Sequence, residues 1–224
     1  MHIGATVEAA NDATAKVSAR VYTSDPYDGD LLALFTGVDI ALTGGDAFSA
    51  CIGAQCRPLT RGFLGLYYEA ELPYAAETTY TVSLTRGGAA NAPNSFVTLP
   101  IPFTILAPAP GLRVTDGDRV TIQWSPAGTD VSVWAETGCD HEDGVRSAKR
   151  QRRLAVNVSG GAMVAEVDTI LAGMIFFSQA RILRCDIAIE VVHDRRGTVD
   201  TALGGGAIVG RVSRKVTLDY TPRP

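Results

Sequence analysis

Short runs in which polar and apolar residues alternate constrain the fold of this chain more than any other feature. The runs are rich in Val, Ile, Thr and aromatic residues, and each ends at Gly, Pro, Asn or Asp. The clearest ones cover residues 16–22, 79–85, 120–124, 130–134, 185–191 and 209–218. Half-buried strands have this period of two, whereas amphipathic helices do not. The pattern therefore predicts an all-β fold built from antiparallel β-sandwiches.

One segment departs from the alternation. Residues 168–177 are nearly continuously apolar after Asp168. Asp168 could cap a helical turn that ends at Gly173, or the run could be a buried strand. We expect a short helix or turn here, followed by a strand over residues 176–193.

A proline-dense segment divides the 224 residues near their middle. Residues 99–111 contain Pro100, Pro102, Pro108 and Pro110, and proline is excluded from the interior of a sheet. The sequence therefore predicts two tandem antiparallel Ig-like β-sandwiches, with an N-terminal sandwich over residues 1–100 and a C-terminal Ig/FnIII-like sandwich over 112–224. Residues 101–111 are predicted to be a short, stiff linker whose second part becomes an edge strand.

Charge supports two domains and excludes some partners. Residues 1–110 hold ten acidic and five basic residues, and residues 111–224 hold fourteen and fifteen. With a net charge of −4, the chain has no global basic field, so we expect no nucleic-acid partner. The longest uncharged stretch, residues 87–112, is interrupted by prolines, so we expect no transmembrane segment.

The four cysteines predict two disulfides. Cys51 and Cys56 are separated by four residues that include a glycine, and the flanking segments can pair as hairpin arms. Neither a second Cys pair for zinc nor the redox Cys-x-x-Cys spacing occurs. Cys139 and Cys185 remain as the second pair. Two disulfides imply an oxidising compartment, although reduced cysteines in a cytosolic protein are the alternative.

The linker and the segment after it carry a resemblance to a known family. Residues 103–105 (FTI), 107–111 (APAPG) and 118–128 (DRVTIQWSPAG) resemble the opening of bacterial immunoglobulin-like or fibronectin-type-III-like modules. In such modules a Pro/Gly turn leads into a strand whose Trp, here Trp124, fills the core. The resemblance implies a β-sandwich and transfers no catalytic residue.

The whole chain also resembles uncharacterised bacterial envelope lipoproteins that are built from two such sandwiches. The points of likeness are residues 42–46 (LTGGD), 84–86 (LTR), 92–95 (APNS), 99–103 (LPIPF) and 197–200 (GTVD) after the Cys185 strand. This likeness implies an exported protein in the periplasm or on the outer cell surface, lipid-anchored in a native full-length form. Residues 1–4 do not begin a signal peptide, so we expect a trimmed N-terminus.

The strongest metal candidate is the run Asp25, Asp28 and Asp30. Three carboxylates within six residues, with a glycine that allows a tight bend, could hold Ca²⁺. A glutamate at the twelfth position would complete an EF-hand loop, but that position is Thr36. An ordinary turn is the alternative, and the same choice applies to Asp116 and Asp118. We expect no other cofactor.

Two further segments could carry chemistry. Cys139 and His141 lie in an acidic loop, residues 138–144, which could be a zinc or Cys–His nucleophile site or simply a solvated loop. Residues 146–153 place five positive charges in eight residues. They could neutralise the acidic loop, bind phosphate or lipopolysaccharide, or protect a sheet edge from aggregation.

Aromatic residues cluster in the N-terminal half, where they could form an exposed platform for sugar rings or belong to the core. They are Phe63, Tyr67, Tyr68, Tyr74 and Tyr80. The sequence contains no Gly-x-Ser-x-Gly, Walker or His-Glu-x-x-His motif.

These patterns favour a non-enzymatic, monomeric, exported protein with a structural or interaction role and an unidentified protein or glycan partner at the bacterial cell envelope. The alternative is a glycan- or calcium-dependent binding module. An enzyme that uses the loop of Cys139 and His141 is a third hypothesis.

Overall fold

The computed structural model describes residues 1–9, 13–22, 40–62, 67–128, 130–156, 158–172 and 180–223. These residues form sixteen strands and one short helix. The chain divides into two compact units. Unit 1 comprises Met1–Pro100 and Asp194–Val212, and unit 2 comprises Ile101–His193 and Ser213–Pro224.

Unit 1 contains two mostly antiparallel sheets, the first of which is part of a nine-stranded sheet. The first has the order β1-β2-β6-β5, and its strands are β1 (His2–Ala9), β2 (Thr14–Tyr22), β5 (Thr60–Arg61) and β6 (Tyr68–Pro73). The second has the order β4-β3-β7-β8, and its strands are β3 (Ala47–Ile52), β4 (Gln55–Pro58), β7 (Thr79–Thr85) and β8 (Ala92–Thr98).

The alternation seen in the sequence builds the core of unit 1. Along β7, Tyr80, Val82 and Leu84 are buried, and the residues between them are not. They belong to one hydrophobic cluster that also contains Val17 and Val21 from the other sheet. Because one face of each sheet supplies this cluster, the two sheets form a sandwich.

Unit 2 is a second sandwich. One sheet has the order β14-β11-β9, and its strands are β9 (Thr104–Ala107), β11 (Arg119–Ser125) and β14 (Ala162–Glu166). The other has the order β13-β12-β15-β16, and its strands are β12 (Val131–His141), β13 (Arg150–Ala155), β15 (Ile182–Arg196) and β16 (Gly206–Tyr220). The short strand β10 (Leu112–Val114) also pairs with β16. Val120, Ile122 and Trp124 of β11 are buried, as expected for the Trp-bearing strand. The predicted all-β fold class with antiparallel sheets is confirmed.

Two of the pairings between described strands are parallel rather than antiparallel. Strand β10 pairs in parallel with the end of β16, and β1 pairs in parallel with its beginning, from Ile3↔Gly206 to Glu8↔Arg211. The second pairing explains why residues 194–212, predicted within the C-terminal sandwich, belong to unit 1. Leu203 and Ile208 lie in the core of that unit.

The segment predicted as a linker over residues 101–111 also differs from the expectation. It belongs to unit 2, it contains β9, and its Phe103 is 2% exposed. Prolines on both sides of β9 do not interrupt its short pairing with β11 because β9 lies at a sheet edge.

A single helix, α1 (Val167–Leu171), lies within the described residues. Glu166 is its N-cap, and Asp168 lies in the first turn instead of capping it. Residues 173–179 lie outside the described residues, and the strand expected from residue 176 is observed from Ile182. No described helix has the length and apolar character needed to cross a membrane.

Candidate functional site

The predicted calcium ligands Asp25, Asp28 and Asp30 lie outside the described residues, so this site stays a prediction. Among the residues that the structure does describe, no group of three or more His, Cys, Asp or Glu side chains is placed to hold a metal ion.

Asp116 and Asp118 act as turn residues. Asp116 accepts hydrogen bonds from the Tyr220 hydroxyl at 2.6 Å and from the Arg223 backbone N–H at 2.9 Å. These bonds, the one from Tyr220 foremost, lower the pKa of the Asp116 carboxyl. Asp118 accepts a hydrogen bond from the backbone N–H of Thr115. The carboxylate oxygens of both residues thus accept hydrogen bonds from nearby backbone N–H groups and, for Asp116, from the Tyr220 hydroxyl.

Cys139 is bonded to Cys185, which removes the hypothesis of a thiol nucleophile beside His141. The two residues are register partners on β12 and β15, and they are 0% and 2% exposed. A disulfide sulfur is neither a thiolate nucleophile nor a zinc ligand. His141 is also buried, and its Nδ1 lies 3.1 Å from the carbonyl oxygen of Ala180.

The acidic loop and the basic segment pair with each other in part. Asp140 lies 2.6 Å from Arg146 and 2.7 Å from Arg184, and these guanidinium groups lower the pKa of its carboxyl. Lys149 lies 3.0 Å from Glu136 on the adjacent strand. Because all these side chains reach solvent, the pairs contribute little stability.

The remaining basic residues of this segment lie on the edge strand β13. Arg152 donates a hydrogen bond to the carbonyl oxygen of Thr169 at 2.6 Å. The guanidinium of Arg153 lies 4.5 Å from the centre of the Trp134 ring. These charges line a sheet edge, where charged side chains discourage pairing with another chain.

The aromatic cluster of unit 1 contributes to the core. Tyr80 is 0% exposed, and its hydroxyl donates to the carbonyl oxygen of Pro73 and accepts from the backbone N–H of Ala75. Tyr68 packs on Phe48, with ring centres 5.7 Å apart. Neither ring is therefore available as a flat exposed platform for sugars. Phe63 lies outside the described residues.

A groove lies along the edges of the two sheets of unit 1, and we call it the edge groove. It has a volume of about 480 Å³. Arg57 and Pro58 of β4 line one wall, and Glu69, Glu71 and Pro73 of β6 line the other. A smaller pocket of about 350 Å³ shares Arg57 and Pro73 with it and includes Cys56.

The path of the chain creates this groove. Strand β4 ends at Pro58, and Leu59 then buries its side chain while its N–H donates to the carbonyl oxygen of Phe48. The chain next enters the other sheet as β5, which is only two residues long. Among the described residues, strand β6 therefore has a strand partner along this side only at Tyr68 and Glu69.

The Cys51–Cys56 disulfide forms the hairpin beside the groove. Gly53 and Ala54 connect β3 to β4, and Gly53 has a φ of 54°, which suits the first central position of a type II′ turn. The two cysteines face each other across the hairpin with Cα atoms 4.0 Å apart. Both disulfides thus join the cysteines that the sequence analysis paired.

The charges of the groove are only partly compensated. Glu69 forms an ion pair with Lys16 at 2.6 Å, which raises the pKa of the lysine. Arg57 and Glu71 make no ion pair with any residue that the structure describes. Sequence reasoning missed the groove, since Pro58 at a strand end is its only local signal.

Comparisons with known proteins give no family. No family model matches the chain, and no curated protein matches it. Among solved structures, a cytokine receptor complex is similar at 13% identity, covering 92% of this chain and 94% of that one, with a TM-score of 0.29. The fibronectin(III)-like modules of Clostridium thermocellum CbhA are similar at 11% identity, covering 98% and 90%, with a TM-score of 0.28. The fold class therefore rests on the strand pairings themselves.

Proposed function

We propose that this chain is a non-enzymatic, exported module with a structural or interaction role at the bacterial cell envelope, in the periplasm or on the outer surface. The observation that carries the proposal is the pairing of all four cysteines in two cross-strand disulfides. Such bonds form and persist in oxidising compartments and are rare in the cytosol.

The positions of the disulfides support a structural purpose for both. Cys139–Cys185 lies in the core of unit 2, and Cys51–Cys56 closes an exposed hairpin. Neither follows the Cys-x-x-Cys spacing of redox enzymes. Two sandwiches stabilised in this way suit a protein that must persist outside the cell.

The edge groove supports an interaction role. The groove is lined by Arg57 and Glu71, neither of which has an ion-pair partner among the described residues. It also contains exposed strand edges. Concave sites with a few charged groups are the usual places for ligand binding. The lipid anchor implied by the sequence resemblance is part of the same proposal.

The compartment is tested in cells of the native host. Intact cells are treated with a membrane-impermeant maleimide, lysed, treated under denaturing conditions with a second maleimide of different mass, and fractionated. We expect the protein in the envelope or extracellular fraction with no maleimide of either mass on its cysteines. Recovery from the cytosolic fraction with four modified thiols would overturn the proposal.

The interaction role is tested with a membrane-impermeant, amine-reactive cross-linker on intact cells. The chain has only three lysines, Lys16, Lys149 and Lys215, and their side chains are 47%, 66% and 55% exposed. We expect a reproducible adduct with an envelope component that is lost when Lys16 alone is replaced by Arg. An adduct that requires only Lys149 or Lys215 would place the interaction elsewhere and contradict the use of the groove side of unit 1.

A further inference from the structure

We propose that the edge groove binds an extended peptide segment that adds a strand to the free edge of β6 at Glu71 and places a basic side chain opposite the Glu71 carboxylate. This inference deepens the proposed function and rests on it for the biological setting. Its test is separate from those of the proposed function, because it measures peptide binding to the purified, oxidised protein and does not use cells.

The hydrogen-bond pattern shows which backbone groups face the groove. The N–H of Gly62 donates to the carbonyl oxygen of Tyr67 at 2.8 Å, so Tyr67 directs its backbone toward the β5 side. On the other side of β6, the N–H of Tyr74 donates to the carbonyl oxygen of Ala13. Since backbone groups alternate sides along a strand, Glu69 and Glu71 face the same side as Tyr67.

Glu71 is the residue at which this edge becomes free. Glu69 pairs with Thr60 of β5. In the same register, the residue opposite Glu71 would be Pro58, but Pro58 belongs to β4 in the other sheet, so β5 offers no partner for Glu71. Among the described residues, the N–H and C=O of Glu71 therefore have no strand partner, and both face the groove. Two such groups on one residue are what an added antiparallel strand binds.

Of the two described strands that line the groove, β6 has the edge that a peptide can extend. In the two-residue hairpin, Gln55 pairs with Ile52 next to the turn, so Cys56 directs its backbone away from β3. The next residue with that direction is Pro58, which has no N–H. Proline at this position protects the edge of β4 against pairing and leaves Arg57 as the charged group of that wall.

Charge defines the class of segment. Unit 1 contains twelve acidic and eight basic residues, and Glu71 makes no ion pair within the described residues. Side chains directly opposite each other on antiparallel strands interact, and opposite charges stabilise the pair. We therefore expect Lys or Arg opposite Glu71, while Arg57 can meet a carbonyl or carboxylate oxygen farther along the segment.

The test uses three capped synthetic peptides and uniformly ¹⁵N-labelled, oxidised full chain. The probe is acetyl-Thr-Val-Lys-Val-Thr-amide, and the charge control replaces its Lys with Glu. The backbone control carries an N-methyl group on the lysine, because the residue opposite Glu71 is the one whose N–H donates to the Glu71 carbonyl oxygen. NMR titration follows the amide of Glu71. We expect saturable shifts at Glu71 with the probe, about two- to fivefold weaker binding of the Glu peptide, and at least roughly tenfold weaker binding of the N-methylated peptide.

Protein variants separate charge from edge geometry. Glu71→Arg should reverse the preference, so that the Glu peptide binds about two- to fivefold better than the Lys peptide. Glu142→Gln, which removes an exposed carboxylate in unit 2, should leave both affinities unchanged.

Three results would overturn the inference. One is the absence of saturable shifts at Glu71 with all peptides at millimolar concentration, and another is equal binding of the N-methylated peptide. The third is a shift of the Glu71 amide with protein concentration alone, which would make this edge an interface between copies of the chain. None of these results bears on the compartment of the protein, so the proposed function would survive them.

Discussion

Removal of the Cys139–Cys185 disulfide should destabilise the protein more than removal of the Cys51–Cys56 disulfide. The bond closes a separation of 46 residues. The loop-entropy model gives about 4 kcal/mol for such a loop, because the crosslink restricts the unfolded chain. The double variant Cys139→Ala/Cys185→Ala avoids free thiols in the core, where both residues are at most 2% exposed.

The second disulfide provides the matched control. Cys51 and Cys56 have a separation of only 5, for which the same model gives about 2 kcal/mol. The bond lies in an exposed hairpin of unit 1, so its loss should leave the core of unit 2 unchanged. The expected cost of Cys51→Ala/Cys56→Ala is therefore about half as large.

The tryptophans make the assay selective. Trp124 and Trp134 both lie in unit 2, so their fluorescence in urea follows the unfolding of that unit. With an m-value of about 1 to 2 kcal/mol/M, the Cys139/Cys185 variant should lower the midpoint by about 2 to 4 M. Hydrogen exchange of the β3 amides monitors the hairpin variant.

A midpoint shift below about 1 M for the Cys139/Cys185 variant would refute this reasoning, as would equal effects of the two double variants. If the variant does not fold, stepwise reduction of the native protein replaces it. Dithiothreitol should then reduce Cys51–Cys56 first, because access limits thiol–disulfide exchange. Reduction of Cys139–Cys185 first would contradict the assigned burial.

Two further substitutions test particular hydrogen bonds. Tyr80→Phe removes one buried oxygen atom that makes two hydrogen bonds to the backbone, and it should lower the stability of unit 1 by about 2 kcal/mol, measured by hydrogen exchange of the β7 amides. Tyr220→Phe removes the main cause of the lowered pKa of Asp116. A carboxyl with a lowered folded-state pKa stabilises the fold above its unfolded pKa, and this contribution is lost as the pH falls below about 4. Tyr220→Phe should therefore weaken the acid dependence of unit 2 stability, measured by urea unfolding at pH 3 and pH 6.

Each of these substitutions has a control. Tyr68→Phe removes one hydrogen bond, to the backbone N–H of Leu42, so its effect should be about half that of Tyr80→Phe. A larger loss for Tyr68→Phe would contradict the role given to Tyr80. For Asp116, a carboxyl titration by NMR should give a higher pKa in Tyr220→Phe, and an unchanged pKa would show that the hydroxyl is not its cause.

The features predicted from the sequence are those that local residues determine. Alternation over residues 79–85 and 120–124 reports which side chains face a core, and both stretches are strands with that alternation of burial. The Cys51–Cys56 pair could be predicted because the four residues between the cysteines include a glycine and form a tight hairpin that brings the sulfurs together. In each case the information lies within a few residues.

Long-range partners could not be predicted in this way. Strand β16 pairs with β1 although about 200 positions separate Ile3 from Gly206. Alternation predicts which side chains of a strand face the core, but it does not predict which strand lies beside it. The same limit explains why residues 194–212 were predicted in the wrong domain. The edge groove depends on the point where Leu59 changes sheets, which no local motif marks.

A non-reducing tryptic peptide map of the protein purified from its native host tests the central claim most directly. Cleavage at arginine should release the peptide of Cys139, residues 120–146, linked to the peptide of Cys185, residues 185–195. The peptide with Cys51 and Cys56, residues 21–61 because trypsin does not cleave between Arg57 and Pro58, should be 2 Da lighter than its reduced form. These two results would support a disulfide-bonded, exported pair of sandwiches, and alkylatable Cys139 or Cys185 in the native protein would contradict it.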